Sequence, residues 1–133
     1  MLMIFIYRIL INLILILSPL IILLRLLKKK EDFIRFKEKL SFFTKKRSKG
    51  KLVWFHGASV GEVQSIIPLL EKYDKSKKID QILITSNTLS SAKIISKIKL
   101  KKITHQFFPI DCNFIVKKFI SYWETIYSII YRF

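Results

Sequence analysis

The hydrophobic pattern of the chain changes near residue 28. Residues 1–27 are almost continuously apolar, whereas the residues after them alternate between charged and apolar positions. A helix over this run would reach about 35 Å, enough to cross the apolar core of a bilayer. The lysines follow the run instead of preceding it, which favours a retained anchor over a cleaved signal peptide and keeps the rest of the chain in the cytoplasm. The pattern predicts a membrane-anchor helix over residues 1–27.

Residues 28–50 are strongly basic. Eleven Lys or Arg residues and three acidic residues lie between Lys28 and Lys51. Apolar side chains recur among these charges with helical spacing, which predicts a basic amphipathic helix over Glu31–Phe43, followed by a basic linker. Such a helix suits a membrane interface, and a surface helix that covers the protein core fits the pattern equally well.

From residue 51 onward, short apolar runs alternate with helical patterns. The predicted strands are Leu52–Phe55, Gln81–Thr85 and Thr104–Phe108, and the predicted helices are Ser59–Tyr73, Ser90–Lys99 and Asn113–Tyr122. Strands that alternate with helices indicate βαβ units and a parallel sheet. The sequence therefore predicts an α/β fold, with Pro68 kinking the first helix after the anchor.

Polar residues follow each predicted strand. The carboxyl ends of parallel strands open on one edge of a sheet, where α/β proteins bind their ligands. The residues expected at this edge are His56, Ser59, Ser86, Asn87, Thr88 and Asp111. They could hydrogen-bond a hydroxyl-rich ligand, although Ser, Asn and Thr are also ordinary loop and cap residues.

Glu62 is the acid nearest to this edge after the first strand. Ser59 and Glu62 have the S-x-x-E spacing of a capping box, in which the Glu side chain accepts a hydrogen bond from the Ser59 backbone N–H. A carboxylate at a helix N-terminus can also act as a general base toward a substrate hydroxyl. The S-x-x-E spacing alone favours the capping role of Glu62 over the catalytic one. Gly57 and Gly61 indicate that the backbone at these two positions lies close to another group.

Composition narrows the function classes. A single Cys112 excludes an internal disulfide framework, which favours a reducing compartment, and two His residues offer no metal-ligand spacing. The formal charge of +16 suggests nucleic acid, an anionic membrane or a phosphorylated substrate as partner. No nucleic-acid-binding motif accompanies the charge, and its position beside an apolar segment favours the membrane.

The run Trp54–Glu62 strongly resembles the W-x-H-x-x-S-V-G-E signature of the 3-deoxy-D-manno-octulosonic acid (Kdo) transferases, bacterial inner-membrane glycosyltransferases of lipopolysaccharide synthesis. Three further segments are similar to the family in the right order and at the right intervals. They are Lys30-Glu31-Asp32, the stretch Ile84–Thr88 with Ser91-Ala92, and the H-Q-x-x-P-x-D segment His105–Asp111.

The resemblance implies a two-domain glycosyltransferase-B fold of Rossmann-like halves. Residues 51–123 would form part of the N-terminal, acceptor-binding half. The implied reaction transfers Kdo from CMP-Kdo to a phosphorylated lipid A precursor at the cytoplasmic face of the inner membrane. Separately from the resemblance, we expect neither a cofactor nor a metal. Glu62 would be the general base, and the residues expected to bind the acceptor are His56, Ser59, Gly61, Ser86, Asn87 and Thr88.

The chain also departs from the family pattern. Family members are much longer, and residues 124–133 look unlike the segment that follows in them, so we expect a truncated half that is inactive alone. The alternative is a non-enzymatic, membrane-anchored α/β module that binds acidic lipid or a partner. A small nucleic-acid binder is a weaker third hypothesis, which predicts affinity that falls steeply with salt.

Overall fold

A computed structural model describes residues 1–29 and 34–124, together with the backbone of residues 127–130. The chain divides into two compact units, Met1–Phe36 and Lys37–Phe133. The first contains helix α1 (Leu2–Leu27), which confirms the predicted helix. Its length and composition would allow α1 to cross a membrane, although a signal sequence near an N-terminus has the same properties. This helix could therefore act as a membrane anchor.

The second unit alternates strands with helices, as predicted. Its elements are β1 (Leu52–Gly57), α2 (Val60–Lys75), β2 (Gln81–Ser86), α3 (Leu89–Ser96), β3 (Ile103–Phe107), α4 (Asn113–Trp123) and β4 (Tyr127–Ile130). The strands form one parallel sheet in the order β3-β2-β1-β4. Helix α2 continues through Pro68 to Lys75, and its last residues carry the basic charge that suits a helix C-terminus.

Strand β4 was not predicted. The sequence suggested only an atypical tail over residues 124–133, but Tyr127–Ile130 pairs in parallel with β1, in a register that joins His56 to Ile130. Glu124 ends α4 with a φ of +42°, a left-handed conformation that turns the chain out of the helix toward β4. As a consequence, β1 lies inside the sheet with a parallel neighbour on each side.

The strand order places a topological switch point beside β1. From β1 the chain proceeds outward to β2 and β3, and then returns through α4 to β4 on the other side of β1. One apolar core joins α2 and α3 to one face of the sheet, and a second core, which contains Phe119 and Trp123, joins α4 to the opposite face. Ligands of open α/β sheets bind outside the carboxyl ends of the strands at such a switch point.

A segment that we call the strap, residues 37–50, replaces most of the predicted amphipathic helix and linker. Its helical part belongs to a short 3₁₀ helix, Phe36–Leu40, and residues 31–33 of the predicted helix lie outside the described residues. The Phe43 ring stacks on Tyr122 at 3.7 Å between centroids. Arg47 Nε donates to the Trp123 carbonyl at 2.6 Å. Phe43, one of the apolar residues that suggested a helix face, therefore packs the strap onto α4.

Candidate active site

Two glycines with different roles flank the turn between β1 and α2. A Cβ on Gly57 would lie 2.8 Å from Val63 Cγ2, so only glycine lets the end of β1 approach α2 this closely. A Cβ on Gly61 would meet nothing within 4 Å. The close approach predicted at Gly57 is therefore made inside the protein, whereas the first turn of α2 borders open space at Gly61.

Glu62 is part of a helix cap that uses one of its two carboxylate oxygens. Ser59 Oγ accepts from the Glu62 backbone N–H at 3.3 Å, and Glu62 Oε2 accepts from the Ala58 N–H at 2.8 Å. The side chain thus returns to Ala58 and not to the predicted Ser59 N–H. Within the part of the chain that the structure describes, Oε1 of this half-buried carboxylate makes no hydrogen bond. A carboxylate has several lone-pair positions, so Glu62 can cap the helix and still accept a proton.

His56 lies in a network at the end of β1. Its Nδ1 is 2.9 Å from Thr85 Oγ1, which also accepts from Trp54 Nε1 at 2.9 Å. The Phe108 ring packs on the imidazole with 4.2 Å between centroids. Burial lowers the pKa of His56, and the Glu62 charge and a hydrogen bond with the Thr85 backbone oppose that change. The lowered pKa favours the neutral form of the ring at pH 7.

We expect the imidazole of His56 to titrate below 6.5, its ordinary pKa, in an NMR titration of the chain in micelles. The unfolded chain then binds more protons than the folded chain as the pH falls below 6.5, so the free energy of unfolding decreases on acidification. Above that pH the contribution is fully present. His56→Asn should remove this part of the pH dependence of the melting temperature, and a His56 pKa above the ordinary value would contradict the account.

The β2–α3 loop brings the second group of predicted residues to the same edge. Parallel pairing sets Gly57 beside Ser86, so both loops begin at one level of the sheet. Asn87 and Thr88 are exposed, and Thr88 Oγ1 caps α3 by accepting from the Ser91 N–H at 3.2 Å. Ser86 is fully buried, and its hydroxyl lies 2.8 Å from His105 Nε2. Acceptor contact by the Ser86 side chain stays a prediction, and one that would require this pair to separate.

Sequence reasoning missed two residues that shape the edge. Thr85 joins Trp54 to His56 from inside β2, and Phe108 covers the His56 ring. A threonine directly after the apolar run Ile82–Ile84 was the available signal for the first. Phe108 had none, because its contact with His56 depends on how β3 and β1 are placed in the sheet.

Much of the positive charge near the sheet lies at its opposite edge. Lys51 precedes β1, Lys77-Lys78 precede β2, and Lys101-Lys102 precede β3. These positions are at the amino ends of the strands, a strand length of about 20 Å from Glu62. Among the described residues no group of three or more His, Cys, Asp or Glu could hold a metal ion. The candidate site is thus a polar edge with the Glu62 carboxylate at the start of α2.

Comparisons with known proteins point to one family. The family model for 3-deoxy-D-manno-octulosonic-acid transferase (kdotransferase) matches residues 34–132, which include all but the last residue of the predicted atypical tail. A 3-deoxy-D-manno-octulosonic acid transferase of Rickettsia bellii is 42% identical over 105 residues, which are 78% of this chain and 25% of that protein. A probable mitochondrial 3-deoxy-D-manno-octulosonic acid transferase of Arabidopsis thaliana is 33% identical over 110 residues, 80% of this chain and 25% of that protein.

A third relative, the 3-deoxy-D-manno-octulosonic acid transferase of Rickettsia typhi, is 50% identical over 74 residues, 55% of this chain and 16% of that protein. No solved structure matches the chain. The chain spans a quarter or less of the length of these three relatives. Because the family model covers most of its residues, the chain belongs to the 3-deoxy-D-manno-octulosonic-acid transferase (kdotransferase) family.

Proposed function

We propose that this chain is the acceptor-binding part of an enzyme that transfers Kdo from CMP-Kdo to a phosphorylated lipid A precursor in lipopolysaccharide synthesis. Its membership of the family supports the transferase chemistry. Donor, acceptor and the two-domain glycosyltransferase-B architecture are our proposals. We also place the enzyme at the cytoplasmic face of the inner membrane, with α1 as anchor and the lysines that follow it on the cytoplasmic side.

One observation carries the proposal. Glu62 has one oxygen fixed by the Ala58 N–H, and its other oxygen makes no hydrogen bond among the described residues. The neighbouring Gly61 borders open space, at the carboxyl edge of the sheet beside the switch point between β1 and β4. A sugar hydroxyl that enters this space could reach the unused oxygen. The cap and the base are therefore compatible roles of one side chain, because the cap sets the direction of the carboxylate.

The proposed chemistry uses Glu62 as a general base. The acceptor hydroxyl oxygen attacks the anomeric carbon of Kdo while its proton passes to the Glu62 carboxylate. A new C–O bond forms, the bond from the anomeric carbon to the CMP phosphate oxygen breaks, and CMP leaves with that electron pair. In its neutral form, His56 does not form an ion pair with the Glu62 carboxylate. Glu62 therefore stays available as the proton acceptor. Asn87 and Thr88 would hydrogen-bond the acceptor from the neighbouring loop.

A polypeptide of these 133 residues alone should not transfer Kdo, since it corresponds to a quarter of its relatives and would lack most of a donor site. Activity is therefore best measured in a chimera, defined as the Rickettsia bellii relative with its matching stretch replaced by this chain. The matched region is 42% identical, which favours correct folding of the replacement.

Gly61→Ala in the chimera tests whether the acceptor occupies the open space. The added methyl meets nothing within the chain, and alanine favours the helix by up to about 1 kcal/mol, so the melting temperature should stay constant or rise. The methyl would obstruct an acceptor packed against α2, so the KM for the lipid acceptor should rise roughly tenfold. Steady-state kinetics with CMP-Kdo generated in situ measures both effects. An unchanged acceptor KM in an active chimera would argue against acceptor binding at this turn.

A further inference from the structure

A buried carboxylate lies outside the set of residues that the family resemblance assigned to the site. Glu38, in the strap, is fully buried. Its Oε2 accepts from the Phe107 N–H at 2.9 Å, and its Oε1 accepts from the Thr44 hydroxyl. Burying a carboxylate costs free energy unless hydrogen bonds compensate for the lost water. Glu38 is therefore stable here only with hydrogen-bond donors placed close to its carboxylate.

The Phe107 N–H is an outward-facing group of an edge strand. Strand β3 is the last strand of the sheet on its side, and the next residue, Phe108, donates its N–H inward to the Ser86 carbonyl at 2.9 Å. Alternate N–H groups of a strand point to opposite sides, so the Phe107 N–H would otherwise face away from any ladder partner. The Glu38 carboxylate takes the place of a neighbouring strand at this point.

Two further hydrogen bonds extend this attachment along the chain. The Lys39 carbonyl accepts from the Ile110 N–H at 2.9 Å, and Ser41 Oγ donates to the Ile115 carbonyl at 2.8 Å. Successive strap residues therefore hold the end of β3, the loop that follows it and the first turns of α4. The strap therefore holds the β3–α4 loop both where it leaves β3 and where it enters α4.

That loop carries the ring that covers His56. Phe108 lies directly after the residue that Glu38 holds, and its ring packs on the imidazole at 4.2 Å between centroids. It also stacks against Trp54 with 6.3 Å between centroids. A connected series of contacts thus runs from the Glu38 carboxylate, through Phe107 and Phe108, to the histidine beside Glu62.

We propose that Glu38 is a positioning residue of the acceptor edge, which acts through the β3–α4 loop to hold Phe108 on the His56 ring. The inference rests on the proposed function in that the edge it positions is the one assigned to the acceptor. The effect of Glu38 on the Phe108–His56 contact is measured in this chain alone. That part of the inference can therefore be tested whether or not the chimera is active. Glu38 touches neither acceptor nor donor in this account.

The test compares Glu38→Gln with Asp74→Asn in the intact chain in micelles. Asp74 is a matched control, because its carboxylate accepts from the Lys102 N–H at 2.9 Å, just before the other end of β3. Both variants replace a carboxylate that holds a backbone N–H by an amide. The readout is the set of nuclear Overhauser contacts between the Phe108 and His56 rings, together with the melting temperature.

The Glu38 carboxylate accepts through both of its oxygens, whereas the uncharged amide of Gln has only one acceptor oxygen. We therefore expect Glu38→Gln to weaken the Phe108–His56 contacts, and Asp74→Asn to keep them even where both lower the melting temperature. If Glu38→Gln does not fold, Thr44→Val is the gentler variant, since it removes only the hydroxyl that Glu38 Oε1 binds, and it should displace the same signals to a smaller extent. Contacts that persist in the Glu38 and Thr44 variants, or that disappear equally in Asp74→Asn, would overturn the inference.

The chimera provides a second readout. A displacement of about 1 Å at a catalytic edge can cost up to a hundredfold, so Glu38→Gln should lower kcat/KM by roughly ten- to a hundredfold. Asp74→Asn should leave kcat/KM within about twofold, as expected for a change remote from the chemistry. An equal loss in both variants contradicts the positioning role. An inactive parent chimera would contradict the proposed function instead, and the ring contacts would still decide the role of Glu38.

Discussion

Glu62→Gln in the chimera should lower kcat by about 10²- to 10⁴-fold, the range expected when a general base is removed. The amide oxygen of Gln can still accept from the Ala58 N–H, so the helix cap and the fold should persist. The amide cannot take a proton from the acceptor hydroxyl. The measurement is kcat at saturating acceptor, with the melting temperature recorded on the same preparation.

Glu71→Gln is the matched control for this substitution. Glu71 is exposed on the same helix, so its replacement removes the same charge from α2 without altering the carboxyl edge. Its kcat should equal that of the parent chimera. A Glu62→Gln variant with nearly parental kcat and a lowered melting temperature would show that Glu62 is a cap without a catalytic role.

Trp123→Ala should destabilise the α/β unit by about 3–5 kcal/mol, as large-to-small changes of buried aromatic residues do. Trp123 is 0% exposed, and its indole N–H donates to Gln106 Oε1 at 3.0 Å. Among the described residues, the buried Gln106 Nε2 already has no hydrogen-bond partner. Loss of the indole would therefore leave a cavity and an amide without any partner in the same place.

Phe114→Ala provides the control for Trp123→Ala. Phe114 is an aromatic residue of the same helix and is 76% exposed, so its truncation should change the free energy of unfolding by less than about 0.5 kcal/mol. Thermal unfolding of each variant in micelles, followed by near-ultraviolet circular dichroism, separates the two. Similar melting temperatures for both variants would mean that α4 does not pack on the sheet as described.

The alternation of strands and helices could be predicted because its signals are local. Strands β1 and β2 each contain a short apolar run, and α2 and α3 begin after residues whose side chains cap them, Ser59 and Thr88. The carboxyl edge followed from the general geometry of parallel strands. These predictions depend on residues that lie within a few positions of one another in the sequence. The structure confirms the predicted alternation of strands and helices.

The strap and β4 could not be predicted in the same way. Glu38 lies in a charge-rich run that is typical of a solvated helix face, but its partner Phe107 is 69 residues away in the sequence. The pairing of Ser86 with His105 likewise depends on strand register. Strand β4 is four residues long, and only its place beside β1 distinguishes it from a tail.

The most direct test is an NMR titration of the chain in micelles with a water-soluble, deacylated form of the phosphorylated lipid A precursor. If the acceptor binds where β1 gives way to α2, the amide signals of residues 56–62 and 86–88 should shift together and saturate. Shifts confined to the lysines before the strands, at Lys51 and Lys101-Lys102, would place the ligand at the wrong end of the sheet and contradict the assignment of Glu62 to the acceptor hydroxyl.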